Sequence, residues 1–293
     1  MKKGTLLALI GLFMLAAVLP QPVSADAVTG ETVVTLGADL TPAQEQSVRQ
    51  EFGVDANVES IEVGIEDIQQ YLHGKSSTTS GSAGGDNKAY SSAKITLTDS
   101  GNGINVQANN VTQVTEQMYA NALLTAGVQD ADVQVTSPKP VTGTAALTGI
   151  MMAFEKAADQ QISQEQRQVA NEEMKQTSQL GQKIGDKEKA AQFMTQVKDE
   201  IANKQPKSEE EVRDIIVNVA GDLNINLNDQ DIQNITQVMF QFSQLNIDWD
   251  SLGNQLEKLK GNLGELAQSE EAQGFFDKIL AWLSDLFSFL KGS

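Results

Sequence analysis

Along the first half of the chain, apolar and polar residues alternate in short runs. Val133 and Val135 stand between Asp132, Gln134 and Thr136, the period of a half-buried strand. Residues 31–36 (ETVVTL) and the run holding Val58, Ile61 and Val63 read the same way. Ile95 and Leu97 on one arm, and Ile104 and Val106 on the other, predict a hairpin around the turn DSGNG. Helical signals lie between these runs. Thr41 is a cap, Pro42 suits the first helical position, and Gln44 closes a capping box. That helix runs to Phe52 and stops at Gly53. IEDIQQYLHG predicts a second helix ending at Gly74, and Thr115 opens a third that closes at Gly127. The order β-α-β-α-β-β-α-β predicts a two-layer sheet with helices on one face, the split βαβ arrangement being one candidate.

The pattern changes between Ala131 and Phe154. Pro138 and Pro140 end any strand, having no N–H to donate. Gly143 gives a corner, and Thr144 is the expected cap of a helix from Ala145. Ala145, Ala146 and Gly149 are small, so this helix start should pack tightly. The other reading is an anion site on the free N–H groups of Thr142, Gly143 and Thr144. From here apolar residues recur at helical spacing. Ser163-x-x-Gln166 and Ser208-x-x-Glu211 read as capping boxes, and Asn228-x-x-Asp231 as a weaker relative. Helices are expected near 145–159, 163–180, 186–204, 208–221, 229–245, 251–267 and 270–291, with Gly181 and Gly185 in a turn. The class is therefore α+β. Residues 26–143 form an N-terminal two-layer α/β sheet domain, 144–268 an all-α helical domain, and 269–293 a C-terminal amphipathic helix.

The first 25 residues read as a signal peptide. Lys2 and Lys3 precede an apolar run from Leu6 to Leu19, and Val23-Ser24-Ala25 offers a cleavage site before Asp26. Fourteen apolar residues fall short of the about 20 that span a bilayer. The expected location is extracytoplasmic: secreted, or on the outer face of the membrane or the cell wall. The chain has no cysteine, which excludes disulfides, thiolate metal sites and lipid attachment through cysteine. The net charge of −18 repels nucleic acid and anionic wall polymers.

The phrases VTLGADLTPAQ, LLTAGVQDADVQVTSP and PKPVTGTAALTGI resemble a family of secreted Firmicute proteins, domain of unknown function 1002 (YpuA-like). The resemblance runs from about Val33 to Trp249. It implies an exported protein of the cell envelope and carries no catalytic residues with it.

The last predicted helix is strongly two-sided. Phe275, Phe276, Ile279, Trp282, Leu283, Leu286, Phe287 and Leu290 share one arc, while Asp277, Lys278, Ser284 and Asp285 share the other. That arc could dock on its own bundle, lie in a membrane interface, or meet an envelope protein or a second copy. Residues 75–87 (KSSTTSGSAGGDN) read as a flexible loop.

Candidate chemistry is sparse. His73 is the single histidine and sits at a helix end. HGKS at 73–76 lacks the upstream glycine of a phosphate-binding loop, since Gln69 stands there. Ser91-x-x-Lys94 enters a predicted strand and lacks its partner motifs. DLNINLNDQD has Asp222, Asn224 and Asn226 at calcium-loop spacing, but Leu227 and Gln233 where glycine and glutamate belong. Glu172 and Glu173 are expected on a solvated helix face. No catalytic residue, metal ligand or cofactor site is assigned. The expected function is a non-enzymatic envelope interaction or accessory module; the alternative is a wall-directed hydrolase using carboxylates that sequence does not identify.

Overall fold

The computed structural model describes residues 29–74 and 88–266. The expected signal peptide, the expected loop at residues 75–87 and the expected helix carrying Phe275 to Leu290 lie outside the described residues. The first half contains strands β1 (Thr32–Gly37), β2 (Ser60–Val63), β3 (Ser92–Leu97), β4 (Ile104–Ala108) and β5 (Ala131–Thr136). They alternate with helices α1 (Pro42–Glu51), α2 (Ile65–His73) and α3 (Glu116–Thr125) in the predicted sequence. Helices α4 (Thr144–Ala158), α5 (Gln164–Ile184), α6 (Lys187–Lys204), α7 (Glu209–Asp222), α8 (Asp229–Ser243) and α9 (Trp249–Leu266) follow. The class is α+β.

The sheet order is β2-β1-β3-β5-β4. β1 and β2 are parallel, as are β4 and β5, and β3 runs antiparallel to β1 and β5. The split βαβ candidate therefore gives way to two parallel βαβ pairs joined through β3. The expected β3–β4 hairpin is not formed, because β5 lies between its arms. The turn after β3 reaches over the start of β5. There the Gly103 N–H donates to Asp130 Oδ1 at 2.7 Å, and the Ala131 N–H donates to the Gly103 carbonyl at 3.0 Å.

The helices also do not share one face. α3 and α4 pack on the face built by Val33, Ile95, Val133 and Val135. α1 lies across the other, where Val48 and Phe52 close over Val34 and Leu36. β1 is buried on both sides, so apolar residues at consecutive positions 33 and 34 are what it needs.

Several caps match expectation and some differ. Thr41 and Gln44 form their reciprocal box, as do Ser163 with Gln166 and Asn228 with Asp231. At Ser208 only half the box forms. Its hydroxyl accepts from the Glu211 N–H, while Glu211 itself takes the N–H of Lys207. Helix α4 begins at Thr144 with Gly143 as its cap, one residue earlier than expected. Gly181 lies inside α5 rather than in a turn. A side chain there would meet Lys187 Cα at 2.9 Å, so this glycine lets the first turn of α6 come close.

One apolar cluster runs from Val33 in β1 to Leu259 in α9, crossing the Gly143–Thr144 junction without a break. The tight joint expected there is present. A Cβ on Gly149 would lie 2.8 Å from Thr35 Oγ1, which sets α4 directly on β1. The buried Tyr119 O–H donates to the Gly143 carbonyl at 2.6 Å and ties α3 to the same corner.

Candidate functional site

Three groups of polar residues stand out, and they differ in how open they are to solvent. The first is sealed. Lys198 of α6 and Glu173 of α5 are 0% and 1% exposed, with Nζ 3.2 Å from Glu173 Oε1. Lys198 also donates to the Asn121 carbonyl at 2.6 Å and to Thr125 Oγ1 at 2.8 Å. Its three N–H groups thus have three acceptors. The Thr125 hydroxyl donates in turn to Glu173 Oε2. Phe242 of α8 sets its ring centre 5.1 Å from Lys198 Nζ. Around this pair, Gln117 and Asn121 donate to Thr195 Oγ1 at 2.9 and 3.0 Å. Burial pulls the Lys198 amine below its usual value, and the Glu173 carboxylate opposes that. An amine that reaches neither solvent nor a cavity has no substrate to attack. The cluster fastens α3 of the sheet half to α5, α6 and α8.

Sequence reasoning missed this pair. Glu173 was expected in solvent beside Glu172, but only Glu172 faces outward, pairing with Lys175 at 3.2 Å. The signal was present. Lys198 continues the stripe Ala191, Met194, Val197, Ile201, and Glu173 sits within Val169, Ala170, Met174, Thr177, all buried. A charged residue on an apolar stripe is either paired or functional.

The second group is the open half of the sheet. α1 covers β1, while Thr96, Asn105, Gln107, Asp132 and Gln134 line a shallow groove beyond it. Lys94, at its edge, donates to the Phe52 carbonyl at 2.8 Å. Gln107 and Gln134 are cross-strand partners, 3.4 Å apart at their amides.

The third group is a cleft at the end of the sheet, where α3, α4, α5, α9 and the turn before β5 converge. It consists of two hollows of about 210 and 460 Å³ that share Gly127, Gln129, Phe154 and Gln160. Phe154, Leu124, Ile162 and Leu252 give it apolar walls, and Gln160, Gln161, Gln166 and Asn246 its polar rim. Asp130 closes one side, accepting from the Gly103 N–H and from Gln255 Nε2 at 3.1 Å. Burial raises the Asp130 carboxyl, but these hydrogen bonds outweigh it and hold the group below its ordinary range.

A family model described as "Protein of unknown function (DUF1002)" matches residues 36–259. The chain belongs to this DUF1002 family. It is 37% identical over 278 residues to a Bacillus subtilis (strain 168) protein described as "Uncharacterized protein YpuA", covering 94% of this chain and 93% of that one. No solved structure matches it.

The other positions singled out in this DUF1002 chain fall where their local pattern places them. His73 is exposed at the last turn of α2. Ser91 precedes β3 and Lys94 lies within it, so the Ser-x-x-Lys spacing is that of a strand. Residues 222–228 turn the chain from α7 to α8, with Ile225 buried and Asn228 spent as a cap. Among the described residues, no group of three or more His, Asp or Glu could hold a metal ion. Among them too, no helix is long and apolar enough to cross a membrane.

Proposed function

We propose that this DUF1002 protein is an exported, envelope-associated contact module that binds rather than transforms its partner. The observation that carries this reading is the contrast between the sealed pair and the open surfaces. Lys198 and Glu173, a cation and a carboxylate in hydrogen-bond contact, are closed to solvent and spent on each other. The cleft at the end of the sheet is rimmed mostly by amides, groups that hold a ligand by hydrogen bonds and do not themselves exchange protons near neutral pH, with Asp130 and Asp248 beside them. Export is supported by the leader pattern ending at Ala25. Attachment is supported by the sequence spacing of Phe275, Phe276, Ile279, Trp282, Leu283, Leu286, Phe287 and Leu290, the pattern of a helix that would lie in a membrane interface.

Host fractionation of the full chain against a version ending at Gln268 tests it. Retention of the full chain with the envelope, and loss of that retention on truncation, is the expected result. Both forms appearing equally in the medium would remove the attachment. Release of soluble fragments from purified wall material, abolished by a point substitution, would replace the contact module with a hydrolase.

A further inference from the structure

The turn after β3 holds a chemically weak bond. Asn102–Gly103 is the single Asn-Gly step in the chain. Asparagine is among the thermolabile residues, and its weakness lies in the next peptide nitrogen, which can attack the side-chain amide. A glycine there has no Cβ to hinder the approach. Asn102 is exposed, and its side chain makes no hydrogen bond among the described residues. Nothing on the Asn102 side therefore restrains the reaction. Gly103 is the opposite case. It is buried, and its N–H donates to Asp130 Oδ1 at 2.7 Å. Its carbonyl takes the Ala131 N–H at 3.0 Å. Burial pushes the Asp130 carboxyl up, but hydrogen bonds from the Gly103 backbone, Gln255 and the Gly101 backbone, with the charge of Lys258, hold it below its ordinary range. At neutral pH it is thus a charged acceptor and a weak base, which holds the amide proton without removing it. Helix α9 secures this arrangement. Gln255 Nε2 donates to Asp130 Oδ1 at 3.1 Å, and Lys258 Nζ donates to the Gly101 carbonyl. A Cβ on Gly103 would meet Lys258 Cδ at 3.4 Å, so α9 lies directly over the peptide.

We infer that Asn102–Gly103 is a site of spontaneous deamidation, kept latent by Asp130 and by the seating of α9. This goes beyond the contact-module reading and does not depend on it. When α9 lifts and the Gly103 N–H comes free, the nitrogen attacks Asn102 Cγ. An N–Cγ bond forms, the Cγ–Nδ2 bond breaks, and the amide proton leaves with the departing NH₂ as ammonia. Water then opens the cyclic imide at either carbonyl and leaves aspartate or isoaspartate. Water is the only co-reactant. Isoaspartate routes the main chain through its side chain and adds a methylene before Gly103. That shift moves Gly103 away from Asp130 and from the Ile104–Ala131 pair that opens the β4–β5 ladder. The modification therefore records, in a covalent and one-way form, that the α9 clamp has opened.

Peptide mapping of the full chain by mass spectrometry, after timed incubation at neutral pH, tests this. The rate at Asn102 is measured in the folded chain, in urea, and in two variants. Asp130→Gly removes the acceptor and suits the positive φ of 47° at that position. Lys258→Ala loosens α9 from the turn without touching Asp130 or Gly103. Deamidation at Asn102 should run at least about tenfold slower in the folded chain than in urea, the weight of one charge-assisted hydrogen bond. Asp130→Gly should recover most of that factor while far-UV circular dichroism reports a folded chain. Lys258→Ala should speed the reaction about threefold, and decides the matter if Asp130→Gly does not fold. Equal rates in the folded chain and in urea would overturn the proposal. So would folded variants that deamidate no faster than the parent. Asn102→Ala should abolish the isoaspartate signal, and its persistence would place the reaction elsewhere and overturn the assignment.

Discussion

The sealed cluster and the open cleft lie against the same helix, α3, and use similar side chains to opposite ends. Around Lys198, three donors meet three acceptors and no solvent enters. Around Gln160 the amides are exposed to water, and buried oxygens without a partner among the described residues occur in both regions: Gln117 Oε1 in the cluster, Gln255 Oε1 and Thr98 Oγ1 near the cleft. A polar group buried with its partners specifies one packing of the helices. A polar group left unmatched at the wall of a hollow is a cost to the fold, of about 1–3 kcal/mol for each buried atom. That cost is borne in both regions, so what separates them is access to solvent.

Four substitutions sharpen this contrast. The largest effect belongs to the sealed pair. Lys198→Met leaves Glu173 as a buried carboxylate with a single hydroxyl donor, and should lower unfolding free energy by about 3–5 kcal/mol in urea melts. Next is the joint under α4. Gly149→Val drives a side chain into Thr35 and should cost about 1–3 kcal/mol by the same measurement. Tyr119→Phe removes one buried hydrogen bond to the Gly143 carbonyl and should cost about 1 kcal/mol. The smallest effect is at the cleft: Gln160→Ala should stay within about 0.5 kcal/mol of the parent, as exposed substitutions do. A large loss there would make the rim part of the core and erase the distinction.

Asp130 sits on the border between the two regimes, and its effect is a matter of pH. Its carboxyl is held below the ordinary range in the folded state, so the unfolded chain binds a proton more readily. Its contribution to stability is present above the unfolded value and is lost as pH falls through the folded one. Asp130→Asn should therefore flatten the acid limb of a stability-versus-pH curve, measured by thermal melts, with its loss of stability greatest near neutrality and smallest at the acid end.

Much of the fold was legible in local pattern. The alternation at Val133 and Val135, the caps at Thr41, Ser163 and Asn228, and the order of elements all follow from period and turn chemistry. Strand partnership was not, because β3 and β4 show the same alternation whether they pair with each other or flank β5. What separates them is the Asp130–Gly103 bond, a contact between residues far apart in the chain. The side of α1 was legible in retrospect from the consecutive Val33 and Val34. The cleft was not legible at all. Gln129, Gln160 with Gln166, and Asn246 come from three separate stretches of chain, and glutamine on a surface has no local signature.

The most direct test of the account is a double-mutant cycle on Lys198→Met and Glu173→Leu, read by urea unfolding. The account predicts that each single variant is strongly destabilised and that the double variant recovers a large part of the loss, with a coupling above about 2 kcal/mol. Additive effects within about 0.5 kcal/mol would mean that the two charges act independently, and would contradict a sealed structural tie.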